Sequence, residues 1–435
     1  MYIKKIVLKN YRCFEDIEVD FHDDLTVIVG NNGAGKTSIL EGMAVALGTL
    51  FTKMYIPSGK SIIKSDVRLK AYTIEKKDVQ PQYPVKICAF GEIDGKDIFW
   101  ERSLNSAKGK TTFLDAKEIT DISAEYQKRL QEGDDALVLP VVAYYGTGRI
   151  WDYHKEKKIN IFKDNNRTNG YINCLDGTAN EKLMLCWFRK EAYEKYENQE
   201  MDRESTPSLQ IVYEAVQECY QKISGRKDIK VQYRISENEL YLHYRNEANH
   251  QMNIPFSQLS DGYKNTMSMV ADIAYRMYTL NPQFAEKALC MTPGVILIDE
   301  IDLHLHPEWQ HQILDNLRSI FPKVQFIVTT QAPAIISSAR SDNLVKLNDY
   351  QVGTVNEEIH GNDINSLLRQ IMDVSDRNPE LSSLFDQFHG LLGARNYDAA
   401  EAVLDDIAKK RSYHDQEVAR CRVKLRLERI RGMKK

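Results

Sequence analysis

Leu25-Thr26-Val27-Ile28-Val29-Gly30-Asn31-Asn32-Gly33-Ala34-Gly35-Lys36-Thr37-Ser38 decides the fold. Leu25 to Val29 is a short apolar run that stops at Gly30, as a strand feeding a loop does. Gly30 to Thr37 then fills every fixed position of the pattern G-x-x-x-x-G-K-[ST]. Thr37 to Phe51 continues with helical spacing of Ile39, Leu40, Met43, Ala46, Leu47 and Leu50. Strand, glycine loop and helix in this order make an anion cradle. The glycines let successive N–H groups turn toward phosphate oxygens, and the helix N-terminus adds partial positive charge. Asn31, Asn32, Gly33, Ala34, Gly35, Lys36, Thr37 and Ser38 are therefore the expected nucleotide-binding residues. Lys36 reaches the β- and γ-phosphates, and Thr37 offers its hydroxyl to Mg²⁺, so ATP and Mg²⁺ are the expected cofactors.

A second motif stands far downstream. Val295-Ile296-Leu297-Ile298 reads as a buried strand that ends in Asp299-Glu300. Paired carboxylates at the carboxyl end of a strand lie where open α/β sheets place ligands. Asp299 is expected to hold Mg²⁺ and Glu300 to polarise the attacking water. Between the two motifs, Leu259-Ser260-Asp261-Gly262-Tyr263-Lys264 opens a helix. Ser-Asp-Gly is a good N-cap turn in its own right.

The order of these segments resembles that of ABC/SMC-type ATPases, in which Leu259–Lys264 stands at the signature motif. The resemblance implies that Ser260 and Gly262 of one subunit close the nucleotide site of another; Asp261 departs from the usual glycine. Ile6 to Phe14 looks like the N-terminal strand pair of SMC, RecF and OLD-type heads, where a basic residue at the Arg12 position helps bind nucleotide; the plain alternative is an arginine in a surface turn. Asp302-Leu303-His304-Leu305-His306-Pro307 is similar to the D-loop of the same ATPases. His304, His306 and His311 lack the cysteines or carboxylates that would complete a zinc site. Thr329-Thr330-Gln331-Ala332-Pro333 stands where the family carries Thr-Thr-His-Ser-Pro. Gln331 can donate a hydrogen bond but cannot titrate, so slow turnover is expected. Tyr144 to Arg149 takes about the place of the Q-loop, with Arg149 either contacting nucleotide or sitting in a structural turn.

The fold expected is α/β: a nucleotide-binding head with a mixed, largely parallel sheet, an inserted helical hairpin and a helical C-terminal tail. The boundaries are 1–177 and 225–350 for the two parts of the head, 178–224 for the hairpin and 351–435 for the tail. Ala136 to Tyr145 reads as one core strand, Pro307 to Ser319 as one helix, and Ile229 to Tyr244 as a β-hairpin. Only about 220 residues separate the loop from Leu259, too few for a long coiled-coil arm, and about a hundred follow Thr330, with no nuclease pattern.

A compact head without its own effector resembles the PtuA-type ATPases of Septu and retron anti-phage systems. The segment Gly361-Asn362-Asp363-Ile364-Asn365-Ser366-Leu367-Leu368 adds to that likeness. It implies a head-to-head dimer or higher oligomer that gates an effector nuclease encoded nearby, with DNA or RNA as a further partner. The alternatives are a RecF-like repair ATPase clamping on DNA and an ATP-locked scaffold.

Composition narrows the setting. A net charge of −4 over 435 residues rules out a uniformly basic nucleic-acid coat. The C-terminal cations Arg420, Arg422, Lys424, Arg426, Arg429, Arg431, Lys434 and Lys435 are either a solvated helix face or a local site for phosphates or an acidic partner. No apolar run of membrane-spanning length and no leader pattern is present, and the seven cysteines are widely spaced, so a cytoplasmic protein with reduced thiols is expected.

Overall fold

The computed structural model describes residues 1–54, 56, 59–72, 78–113, 115–150, 166–177, 181–201, 207–245, 249–353, 379–410 and 416–433. β1 (Tyr2–Tyr11) and β2 (Phe14–Asp20) largely alternate buried and more open residues and pair antiparallel. β3 (Leu25–Gly30) is buried at every position and delivers the chain to α1 (Lys36–Leu47). A ribbon of β4 (Leu69–Tyr72) and β5 (Asp78–Pro81) precedes β6 (Val85–Ile93) and β7 (Lys96–Leu104). These two join β1 and β2 in a four-stranded antiparallel sheet of order β2-β1-β6-β7. After α2 (Lys117–Gln131) and β8 (Val141–Tyr145) come α3 (Glu181–Glu200) and α4 (Ser208–Ser224). β9 (Lys230–Arg234), β10 (Glu239–Arg245) and β11 (Gln251–Pro255) form a second antiparallel sheet. Then follow α5 (Asp261–Leu280), α6 (Ala288–Met291), β12 (Gly294–Ile298), α7 (Pro307–Gln310), α8 (Ile313–Ile320), β13 (Val324–Thr330), α9 (Pro333–Ser338), β14 (Leu344–Asn348) and β15 (Gln351–Gly353).

β3, β8, β12 and β13 are buried along their whole length. Such a run is stable only with both sheet faces covered, which is the setting of a parallel sheet. They are four consecutive strands of a six-stranded sheet, β15-β14-β3-β13-β12-β8, parallel throughout except for the edge strand β15. Register decides where the strands end. Ile298 pairs with both Tyr145 and Val328, Thr330 with Val29, and Leu347 with Gly30. Gly30, Gly146, Asp299 and Gln331 therefore leave the sheet along one carboxyl edge, as ligand-binding loops of α/β sheets do.

Two expectations need correction. The strand expected from Ala136 begins only at Val141. The preceding backbone is satisfied by a side chain instead: Leu139 N–H donates to Asn281 Oδ1 at 2.8 Å, and Asn281 Nδ2 returns a bond to Leu139 O. The helix expected over Pro307 to Ser319 is two helices, α7 and α8. At their junction the Gln312 N–H bonds Trp309 O, a three-residue step that turns the axis. The helices α3 and α4 lie in the stretch expected as an inserted hairpin; Leu209, Val212, Val216, Cys219 and Tyr220 of α4 are buried and α4 packs on α5 and α8. α2, β11, β14 and β15 were not anticipated. Gly361 to Leu368 lies outside the described residues.

The contacts group the chain into Met1–Asn362 and Asp363–Lys435. In the second unit α10 (Pro379–Gly393), α11 (Tyr397–Lys410) and α12 (Gln416–Met433) enclose Phe385, Phe388, Leu404, Ile407 and Leu425. No helix among the described residues is long and apolar enough to cross a membrane. All seven cysteines are free thiols.

A buried ion pair ties α5 to the sheet. Asp272 accepts from Arg276 Nε and from the Tyr145 hydroxyl, each at 2.7 Å, and Arg276 Nη1 donates to Gly170 O and Ile172 O. Both charged side chains are at most 3 % exposed. Removing one partner strands the other charge in the interior. Arg276→Met is expected to lower the unfolding free energy by about 3–5 kcal/mol in urea titration, with the double variant Asp272→Asn, Arg276→Met recovering part of that loss.

Candidate functional site

The loop after β3 places Lys36 at the first position of α1, 6 % exposed. Its ammonium donates to Gly30 O at 2.6 Å and Asn31 O at 3.0 Å. Burial lowers the Lys36 pKa, opposed by the carboxylates of Glu300, Asp299 and Asp302. A desolvated ammonium beside the N-terminus of α1 is favourably placed to meet an anion. Gly35 takes φ 100°, and a Cβ there would collide with the Phe14 ring and Cys13. The loop can therefore close only on glycine at this point.

Asp299 is 1 % exposed. Its Oδ2 accepts from Thr37 Oγ1 at 2.7 Å and its Oδ1 from Thr329 Oγ1 at 2.6 Å. Thr329 Oγ1 also accepts from Glu300 N–H at 2.8 Å, and Thr329 O accepts from Ile301 N–H. Glu300 itself lies in the left-handed region, at φ 47°. A non-glycine residue stays there only where its surroundings fix it; here Thr329 does so. Thr330 Oγ1 donates to Asp302 Oδ1 at 2.6 Å, and Gln331 Nε2 donates to Asn32 Oδ1. Gln331 is thus joined to the phosphate loop.

Ser260 and Gly262 sit at the start of α5. Ser260 occupies the N-cap position, yet its hydroxyl makes no capping bond and the residue is exposed. A Cβ on Gly262 would collide with the His304 carbonyl oxygen. The turn after Glu300 and the head of α5 are therefore in direct backbone contact, and the rings of Tyr263 and Trp309 meet at a tilt of 44° with centroids 3.9 Å apart. Arg12 Nε donates to Asp66 at 2.9 Å and its Nη2 pairs with Glu41 of α1, the helix that follows the phosphate loop. Ser38 Oγ meets the Cys13 thiol at 4.0 Å. His306 caps α7 and His311 meets Ser337. The Arg149 side chain lies outside the described residues. Thr329, Thr330 and Asp302 stand within motifs quoted from the sequence, which assigns none of them a role of its own. Their role follows from the β12–β13 register, which sets Thr329 beside Asp299.

The donors suit Mg²⁺ with a nucleotide. No group of three or more His, Cys, Asp or Glu that could hold a metal gathers among the described residues. One carboxylate and one hydroxyl at 2.7 Å are what Mg²⁺ takes from protein when phosphate oxygens and water complete its shell.

A family model described as AAA domain matches residues 5–224, half of the chain. The chain belongs to this AAA domain family. A second AAA domain model matches residues 192–337. Among curated relatives, "Retron Ec83 probable ATPase" of Escherichia coli is 25 % identical, over 92 % of this chain and 82 % of that one. "Septu protein PtuA" of Bacillus thuringiensis is 23 % identical, over 79 % of this chain and 75 % of that one. Among solved structures, an SMC head bound to the C-winged helix domain of ScpA aligns with 82 % of this chain and 99 % of that one, at 16 % identity and a TM-score of 0.47.

The bonds through Thr329 can be measured. Thr329→Val leaves Asp299 Oδ1 and the Glu300 N–H without their partner and is expected to cost about 1–3 kcal/mol of stability. Thr329→Ser keeps the hydroxyl and is expected to recover most of it; equal stability of the valine variant and the parent in urea titration refutes this role.

Proposed function

We propose that this AAA domain protein binds and hydrolyses ATP with Mg²⁺ as the cytoplasmic ATPase of a bacterial anti-phage defence system. Two heads close around nucleotide, and their state gates a separate effector nuclease. The observation that carries the reading is the convergence of Lys36, Thr37, Asp299, Glu300 and Gln331 on one sheet edge. The relatives named as a retron probable ATPase and as Septu PtuA support the defence setting.

In this reading the N–H groups of Asn31 to Ser38 cradle the phosphates and Lys36 exchanges its loop carbonyls for phosphate oxygens. Thr37 and Asp299 hold Mg²⁺, which when bound neutralises charge developing between the β- and γ-phosphates. Glu300, turned off the strand by its left-handed backbone, accepts a proton from the attacking water. Gln331 donates to the γ-phosphate and leaves Asn32 to do so. The free hydroxyl of Ser260 and the backbone at Gly262 supply the closing contacts to the site of the opposite head.

Lys36→Ala is expected to abolish binding of a fluorescent ATP analogue. Glu300→Gln is expected to keep binding, lose turnover on the order of a hundredfold, and accumulate as an ATP-dependent dimer in light scattering. Ser260→Tyr is expected to prevent that dimer while leaving nucleotide binding intact. ATP binding that survives Lys36→Ala, or turnover unchanged by Glu300→Gln, sinks the proposal.

A further inference from the structure

Helix α12 carries two apolar faces. Val418, Cys421 and Leu425 are buried in the core of the Asp363–Lys435 unit. Val423, Leu427 and Ile430 are 58 %, 54 % and 54 % exposed. Steps of four and three residues align these three in one stripe on a different side of the helix. Exposed Ala419 extends the stripe by a turn, and Ala419, Arg420, Val423, Lys424 and Leu427 line one open concavity.

The cations of α12 divide in the same way. Arg422 pairs with Asp405 of α11 at 3.2 Å, and Arg429 pairs with Asp398 and Glu401 of α11. Those charges are used inside the bundle. Helical spacing puts Arg420 and Lys424 on one flank of the exposed stripe and Arg426 on the other. All three are exposed, with no ion pair or hydrogen bond among the described residues.

We propose that this face is a docking site for an acidic amphipathic helix of another protein. An apolar stripe about 16 Å long, from Ala419 to Ile430, takes anchors spaced over three turns, and the flanking cations select Glu or Asp beside them. A nucleic-acid backbone has nothing to bury against Val423, Leu427 and Ile430. A second copy of the same face brings Arg420, Lys424 and Arg426 against their like, which electrostatics opposes. The inference is separate from the nucleotide reading and its test involves no nucleotide.

The test places a photo-crosslinking amino acid at Leu427 of the full chain, expressed in its native cell, and maps the attached residues by mass spectrometry. The expected attachment is to an acid-flanked helix of a different protein. With Arg420→Glu and Lys424→Glu added, its yield is expected to fall at least about tenfold while the circular dichroism spectrum is unchanged. Attachment to nucleic acid, to a second copy or to residues 354–378 of the same chain overturns the proposal. So does the absence of any attachment, or a yield insensitive to charge reversal.

Discussion

A carboxylate withdrawn from water must have its lone pairs filled or give up its charge. Asp299 is 1 % exposed, and two hydroxyls from different parts of the chain fill its oxygens, Thr37 from the phosphate loop and Thr329 from the end of β13. Three segments that are far apart in sequence are held at one point by that requirement. The left-handed backbone at Glu300 depends on the same threonine, which accepts the Glu300 N–H. The site is therefore set before any ligand arrives. Its hydrogen bonds are also the ones that a metal ion and phosphates would exchange into.

The second constraint lies one layer away. The Tyr145 hydroxyl and Arg276 share Asp272 Oδ2, which joins the end of β8 to the middle of α5. α5 begins at Ser260–Gly262, and Gly262 has no room for a side chain beside the His304 carbonyl. The helix that presents Ser260 is thus braced at two places, by a buried charge pair along its length and by backbone contact at its head. A shift of the turn after Glu300 meets that helix at once, since the two backbones touch. This is a steric relation within one chain, and it sets the exposed Ser260 close to the turn after Glu300.

The C-terminal unit follows different rules. Among the described residues one face of α12 makes the core, with Val418, Cys421 and Leu425, and the other, with Val423, Leu427 and Ile430, is exposed. Burial of Val418, Cys421 and Leu425 turns one face inward, and Arg422 and Arg429 pair with α11 at its exposed margin. The basic stretch at the C-terminus is thereby resolved into cations that hold the bundle and cations that rim an apolar stripe. Composition alone treats these as one run of charge.

Some of this was legible in the sequence. Gly30 to Thr37 between a strand and a helix needs only local chemistry to be read, because loop conformation and helix polarity are near-neighbour properties. The buried strands β3, β12 and β13 announce themselves as continuous apolar runs for the same reason. β14 does not: it is short, and pairing with the distant β3 is what makes it a strand, while β15 and β11 are short hairpin partners of β14 and β10 without a strong pattern of their own. The over-long strand from Ala136 was misread because Asn281, far along the chain, takes the hydrogen bonds that a sheet neighbour would have taken. The ion pairs of Arg12 with Asp66 and Glu41, and the hold of Thr329 on Asp299, likewise exist only once the sheets are assembled. The sequence by itself determined which residues can carry phosphate and metal chemistry. The tertiary structure decided which of them meet, because parallel register, and not proximity along the chain, sets what stands beside a buried carboxylate.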